Sequence, residues 1–204
     1  MEPDVVYQDL FLTEEESEFL YRWIMSNIQW TQVQYPKYNK IIKTPRLTTC
    51  FGFHDEEIPE KYGNCHPEKI PMILNRLKKK VEAYCETEFN YILMSLYRNG
   101  NDSISYHSDD ERFLGKNPVI ASLSLGQSRT FHLKNKETKD RKSYLLENGS
   151  LMVMKGNTQH DWLHAVPKSK KEMQPRINIT FRKMIMSQGS LNYYKYNRGV
   201  PINV

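Results

Sequence analysis

The sequence predicts an α+β fold in which two helices precede a sandwich or barrel-like β core. Two segments before residue 86 carry apolar residues at helical spacing, and six short β-rich runs follow them. Gly, Asn, Asp and Pro separate those runs, as expected for turns between strands. Helices that come first and strands that come later are typical of α+β domains.

The first predicted helix runs from Thr13 to Ile28 and the second from about Glu68 to Cys85. Thr13 and Glu16 fit a capping box, in which each side chain satisfies a backbone N–H group of the first turn. The second helix has one apolar face, and we interpret its basic face as solvent-exposed. That basic face carries Arg76, Lys78, Lys79 and Lys80. Residues 29–67 between the helices predict short strands and loops.

The predicted strands are short apolar runs. They are Tyr91–Tyr97, Val119–Leu125, Thr130–Leu133, Ser150–Met154, His164–Val166 and Ile177–Arg182. Side chains alternate between the two faces of a strand. The last run, together with the preceding Arg176, therefore has one apolar face and one polar face. Ile177, Ile179 and Phe181 point into the core, whereas Arg176, Asn178, Thr180 and Arg182 point the other way. Two Arg on one face of an apolar strand predict an anionic ligand, since a guanidinium pairs bidentately with a carboxylate. A surface strand with a solvated polar face is the alternative.

The bulk properties predict an intracellular protein without a membrane segment. The 204 residues suffice for one domain, which we place at residues 1–186, with a C-terminal extension over 187–204. A formal net charge of +5 permits an anionic partner without requiring one. Three cysteines without metal-ligand spacing predict free thiols in the reducing nucleus or cytoplasm. The sequence has no long apolar run and no signal-like start.

A metal site is predicted at His107 and Asp109. In an extended segment these positions face the same way, so an imidazole and a carboxylate converge on one point. His164 is the candidate for the third ligand. Two His and one carboxylate leave positions open on an iron ion, as Fe(II) oxygenases require. The pair alone also fits a structural, hydrogen-bonded histidine, and His160 remains an alternative because its i, i+4 spacing to His164 would suit zinc on a helix.

These residues and their neighbours resemble the AlkB-type nucleic-acid oxidative dealkylases. The resemblance covers roughly residues 91–184, with weaker support from 44–52. The matching segments are His107–Glu111, Pro118–Gly126, Gly149–Met154, His164 and Pro175–Arg182. The resemblance implies a double-stranded β-helix (jelly-roll) core with N-terminal helices packed on one sheet. It also implies a nucleotide-recognition lid over about 30–66 and a catalytic core over about 90–184.

By the same resemblance, the cofactors are Fe(II) and 2-oxoglutarate, with O2 as cosubstrate. His107, Asp109 and His164 would be the iron ligands and catalytic residues, and Arg176 would pair with the distal carboxylate of 2-oxoglutarate. The rest of the cosubstrate pocket would consist of Ser95, Tyr97, Asn178, Thr180 and Arg182. Ser95 stands where the family usually has Asn, and its shorter reach puts that contact in question.

The resemblance further implies a set of substrate-binding residues. Asp110 would accept a hydrogen bond from the exocyclic amine of a damaged base, against which His107 would stack. The remaining candidates are Glu111, Arg46 in the lid, Lys170 and Lys171 in a basic loop, and Phe53 or Tyr62 as a stacking ring. A second basic cluster in a predicted hairpin comprises Lys134, Lys136, Lys139, Arg141 and Lys142. Basic loops beside the site suit phosphate contact, although ordinary solvated loops have the same composition.

The function expected from these predictions is oxidative demethylation, by a monomer, of bases such as 1-methyladenine and 3-methylcytosine in DNA, with RNA also open. A base inside a duplex is out of reach, so the enzyme must flip it or use single strands. Two alternatives remain open at this point: an oxygenase of a protein or small molecule, and a non-catalytic nucleic-acid-binding module. The intact His-Asp-His set and both Arg weigh against the second of these.

Overall fold

The structure is a computed structural model that describes residues 2–37, 39–52, 68–171, 173–185 and 200–204. The two predicted stacking rings, Phe53 and Tyr62, lie outside the described residues. The same is true of much of the predicted lid and of most of the C-terminal extension. The proposed domain boundaries therefore stay predictions.

The larger of two facing sheets has nine strands among the described residues, in the order β1-β12-β9-β14-β7-β5-β2-β15, with β6 beside β5. They are β1 (Asp4–Gln8), β2 (Trp30–Gln32), β5 (Leu47–Gly52), β6 (Glu68–Lys69), β7 (Tyr91–Tyr97), β9 (Ile120–Gly126), β12 (Leu151–Lys155), β14 (Arg176–Arg182) and β15 (Val200–Ile202). β14 lies in the middle, antiparallel to both β7 and β9.

The smaller sheet has the order β11-β10-β13-β8. Its strands are β8 (Ile104–His107), β10 (Arg129–Asn135), β11 (Arg141–Leu146) and β13 (Trp162–Val166). A separate two-stranded hairpin consists of β3 (Gln34–Lys37) and β4 (Lys40–Lys43). A buried cluster joins the two sheets, with Tyr97 and Met154 from the larger sheet and Phe131 and Val166 from the smaller one.

The helices pack on the outer face of the larger sheet. They are α1 (Glu14–Asn27) and α2 (Met72–Cys85), and a short α3 (Thr158–Asp161) precedes β13. Leu20 of α1 and Leu74 of α2 share one core cluster with Ile177, Ile179 and Phe181 of β14. The predicted capping box at the start of α1 is present in full. The α+β class and the placement of the helices on one sheet are confirmed.

Two details of the second helix differ from the prediction. α2 begins at Met72 rather than Glu68, because Pro71 occupies its N-cap and the residue before a proline is driven out of helical geometry. Lys78 was expected on a solvent-exposed face, yet it is only 3% exposed. Its ammonium group lies 2.6 Å from a carboxylate oxygen of Glu82, one turn along the helix, which offsets the cost of its burial.

The alternation of β14 decides where the functional side chains lie. Its apolar residues face the helices, so Arg176, Asn178, Thr180 and Arg182 face the smaller sheet, as the sequence predicted. The register places Arg176 beside Tyr97 and Asn178 beside Ser95 on β7. The polar face of the central strand is therefore the floor of a cavity between the two sheets.

Candidate metal and cosubstrate site

One cavity between the sheets contains most of the predicted site. Its polar lining comprises Arg46, Ser95, Tyr97, His107, Asp109, Ser122, His164, Arg176, Asn178, Thr180 and Arg182. Its apolar lining comprises Leu93, Ile104, Phe131, Met154 and Val166. Ser122 and the apolar residues were not predicted. All of them except Ile104 belong to predicted strands, whereas Ile104 begins β8, which was not among those strands.

His107, Asp109 and His164 form a compact set of metal-ligating groups. Their ligand atoms all lie within 4.8 Å of one another, and the ring centroids of the two histidines are 4.1 Å apart. His164 and His107 are directly paired across β13 and β8, which brings residues 57 positions apart to one point. One ion would therefore contact two imidazoles and one carboxylate.

Asp109 is held in this set by two hydrogen bonds. The Arg182 guanidinium donates from Nη2 to its Oδ2 at 2.7 Å, and its backbone N–H donates to Oε1 of Gln159 at 2.9 Å. Gln159 is 1% exposed and lies on α3. Gln159 was not predicted from the sequence, because its role depends on a contact across 50 residues.

The charge states of the two buried ligands suit a cation. Burial lowers the pKa of His164 to about 3, with His107 and Arg182 acting in the same direction, so the imidazole is neutral and its lone pair is available. Burial works to raise the pKa of the Asp109 carboxyl, but the adjacent Arg182 guanidinium and the two imidazoles hold it below its ordinary value. Asp109 is therefore an anion at neutral pH.

The tautomer of His107 also suits ligation. Its Nδ1 lies 2.9 Å from the backbone oxygen of Ser105, which fits an Nδ1–H donor. Nε2, which lies 4.0 Å from Oδ1 of Asp109, then carries the lone pair. His160, the alternative third ligand, is 85% exposed at its side chain and pairs with Asp161 instead. Within the described residues, the metal-ligating set contains His164 and not His160.

The Arg176 side chain fits a carboxylate ligand. It is 1% exposed, and its Nη2 donates to Oγ of Ser124 at 2.9 Å. Its Nε and Nη1 are buried without a hydrogen-bond acceptor among the described residues. Burial lowers the pKa of Arg176 to about 10, so the group is still a cation at neutral pH. A buried cation with two unused donors is costly unless an anion binds there.

The other predicted cosubstrate residues line the same cavity but have partners of their own. Asn178 donates from Nδ2 to Oγ of Ser122 at 2.7 Å, and Thr180 donates to Oδ1 of Asn178 at 3.3 Å. Arg182 is bonded to Asp109. The Arg176 end of the β14 face therefore combines a buried positive charge with donors that lack acceptors among the described residues.

The predicted substrate residues are spread more widely. Arg46 lines the cavity, whereas Asp110 is exposed and accepts a hydrogen bond from Nζ of Lys136 at 3.2 Å. Glu111 starts a 3-10 helical turn outside the cavity lining. Lys170 and Lys171 are exposed on the loop before β14. The predicted basic hairpin is also formed, by β10 and β11, although Lys142 pairs with Glu2.

Comparison with known proteins gives consistent results. A family model described as the 2OG-Fe(II) oxygenase superfamily matches residues 4–182. The human "Alpha-ketoglutarate-dependent dioxygenase alkB homolog 3" is 35% identical over 184 residues, which are 84% of this chain and 63% of that protein. The human "DNA oxidative demethylase ALKBH2" is 29% identical over 197 residues, 92% of this chain and 70% of that protein. The AlkB-type resemblance is confirmed.

Similarity to a solved structure extends to the fold. The structure titled "The structure of OsALKBH1" superposes with a TM-score of 0.63 at 20% identity, and the match covers 90% of this chain and 99% of that chain. The chain spans 63% of the length of its alkB homolog 3 relatives in human, cattle and mouse. None of the helices in the described part of the chain is long and apolar enough to cross a membrane.

Proposed function

The chain belongs to the 2OG-Fe(II) oxygenase superfamily, and from that premise we propose that it is an oxidative demethylase of N-alkylated bases in DNA, with RNA as the second substrate to test. Fe(II) and 2-oxoglutarate are its cofactors, as predicted. The observation that carries the proposal is the arrangement of His107, Asp109 and His164 beside the buried Arg176 in one cavity.

His107, Asp109 and His164 would hold Fe(II), and the guanidinium of Arg176 would bind a carboxylate of 2-oxoglutarate. When bound, these cofactors supply the activation of O2 and the hydroxylation of an N-linked alkyl carbon, which then leaves as an aldehyde. The protein's own part is to position the groups and to exclude water. Arg182 keeps the Asp109 carboxylate ionised and oriented, and Gln159 fixes its backbone.

A base approaching the metal would meet two side chains next to the ligands. One face of His107 is available, since its side chain is 33% exposed. Asp110 follows the ligand Asp109 directly, and its carboxylate accepts from Lys136 and has capacity to accept from an exocyclic amine. A carboxylate there also suits 1-methyladenine and 3-methylcytosine, which are cationic.

The surroundings of the cavity support a nucleic-acid substrate and hence a nuclear or cytoplasmic location. Lys168, Lys170 and Lys171 are exposed on the loop that leads from β13 to β14. Phosphate contacts from such a loop would not depend on the base sequence of the nucleic acid, and they would weaken as the salt concentration rises. The printed name of one set of relatives, DNA oxidative demethylase, supports DNA as the first substrate to test.

The test is incubation with oligonucleotides that contain 1-methyladenine or 3-methylcytosine, together with Fe(II), 2-oxoglutarate and O2. Single- and double-stranded DNA and RNA are compared, and loss of methyl groups is measured by mass spectrometry. Asp109→Ala should abolish turnover. The matched control, Asp9→Ala, removes an exposed carboxylate outside the cavity and should leave it unchanged. Lack of demethylation on every oligonucleotide, with succinate still formed on another substrate, would overturn the proposal.

A further inference from the structure

Arg129 is a buried cation that the proposed function leaves without a role. It begins β10, is 2% exposed, and its guanidinium donates to three backbone carbonyls. Nη1 donates to the oxygen of Asn99 at 3.1 Å, and Nη2 donates to the oxygens of Asp102 at 2.9 Å and Pro167 at 2.7 Å. These carbonyls belong to two different loops, so the guanidinium is fixed from several sides.

The same guanidinium lies against the ring of Tyr97. The Cζ of Arg129 is 5.6 Å from the ring centroid, and the Cζ of Arg176 is 5.3 Å from the same centroid. Both distances are within the range of cation–π attraction. Tyr97 is 2% exposed and lines the cavity, whereas Arg129 does not line it. Tyr97 therefore connects a cation outside the cavity to the cation predicted to bind the cosubstrate.

We propose that Arg129 is a positioning residue for the dicarboxylate cosubstrate, acting through the Tyr97 ring that it shares with Arg176. The inference rests on the proposed function, because it assumes that Arg176 binds a carboxylate. The three carbonyl bonds fix Arg129, and Arg129 in turn restricts the Tyr97 ring. The ring then limits the conformations open to Arg176.

This restriction has a defined consequence for binding. A long Arg side chain loses conformational freedom when it binds a ligand, and a side chain that is already fixed loses less. Arg176 has a hydrogen bond to Ser124 on one side and the Tyr97 ring on another. Its remaining donors are thus held in place before the carboxylate arrives. A less restricted side chain at position 129 should therefore weaken cosubstrate binding more than it lowers the turnover rate of the bound complex.

The test compares Arg129→Lys with Arg98→Lys. Lysine retains the charge at 129 but lacks the planar guanidinium fork that spans the three carbonyls and covers the ring. Arg98 is a matched control, because it pairs with Asp102 in the same turn at 2.8 Å. Arg129→Lys should raise the KM for 2-oxoglutarate about tenfold, the lower end of the range for supporting residues, with a much smaller change in kcat. Arg98→Lys should leave the KM unchanged.

Binding of 2-oxoglutarate to the Mn(II)-loaded protein, measured by calorimetry, gives the same comparison without turnover. A purely structural role for Arg129 would lower the melting temperature and the active fraction while leaving the KM of the folded fraction unchanged, and that result would overturn the inference. Equal increases in KM for both variants would also overturn it, because the turn rather than Tyr97 would then be responsible.

A second variant keeps the inference testable if Arg129→Lys does not fold. Tyr97→Leu removes the ring and leaves Arg129 in place, so it should raise the KM by a similar factor, and an unchanged KM would overturn the inference. Where both variants fold, the double variant should have a KM for 2-oxoglutarate close to that of either single variant. Failure of the wild-type protein to bind 2-oxoglutarate would instead overturn the proposed function, and this inference with it.

Discussion

Replacing Gln159 by Leu should weaken metal binding although Gln159 is not a ligand. Its Oε1 accepts the backbone N–H of Asp109 at 2.9 Å in a fully buried position. Leu is close in size but offers no acceptor, so the N–H would be left buried and unpaired. That costs about 2 kcal/mol of unfolding free energy, the middle of the range for an orphaned donor. In a chain of this length the melting temperature should fall by roughly 4–8 °C.

The metal affinity of the folded protein should fall as well. Partners that orient a metal ligand typically contribute about 10–100-fold to affinity. The assay is titration of the apo protein with Co(II), followed by its visible absorption, with thermal unfolding measured in parallel. Gln32→Leu is a matched control, because it removes a partly buried bond to the backbone oxygen of Thr44, at 3.1 Å, away from the cavity. It should lower the melting temperature but leave the Co(II) affinity unchanged. Equal Co(II) affinities for wild type and Gln159→Leu would refute the reasoning.

Three further outcomes are expected. Arg176→Lys should raise the KM for 2-oxoglutarate at least tenfold, since a point charge cannot replace a bidentate fork, and steady-state succinate assays check this. Burial works to raise the pKa of the Glu82 carboxyl, but the hydrogen bond from Lys78 and further favourable contacts hold it below its ordinary value of 4.5. The difference in unfolding free energy between wild type and Glu82→Gln should thus be fully present at neutral pH and shrink as the pH falls below 4.5. Denaturation at several pH values would detect this change, and a pH-independent difference would contradict it. Gly126→Ala should cost about 2 kcal/mol in a chemical denaturation experiment, because Gly126 has φ of +80° and a Cβ would lie 2.6 Å from the backbone oxygen of Pro175.

The sequence predicted the central strand well because its pattern is repetitive and local. The alternation of Ile177, Ile179 and Phe181 with polar residues survives in β14, one face against the helices and the other in the cavity. α1 was predicted equally well, since the capping box of Thr13 and Glu16 is a local signal. In such segments, hydrogen bonds and burial depend on residues only a few positions apart.

The prediction was weaker where structure depends on distant contacts. β1 has only five residues, and its partner β12 lies far along the chain. Its strand geometry therefore depends on a distant partner rather than on neighbouring residues. Lys78 is buried because Glu82 and the fold around it offset the charge, which composition alone cannot reveal. Gln159 and Arg129 were not predicted for the same reason, because each bonds backbone groups of segments far along the chain.

The two histidines of the metal-ligating set are held very differently. His164 lies within β13, between two neighbouring strands, and is 6% exposed, whereas His107 ends β8 at the edge of the smaller sheet. Asp109 follows His107 by two residues but is buried and held by Arg182 and Gln159, whereas His107 ends an edge strand, the kind of element that frays most readily. Exchange of the ion with solvent would pass through the His107 side. The edge strand would then govern how fast the ion enters and leaves, while the buried pair would govern how tightly it is retained.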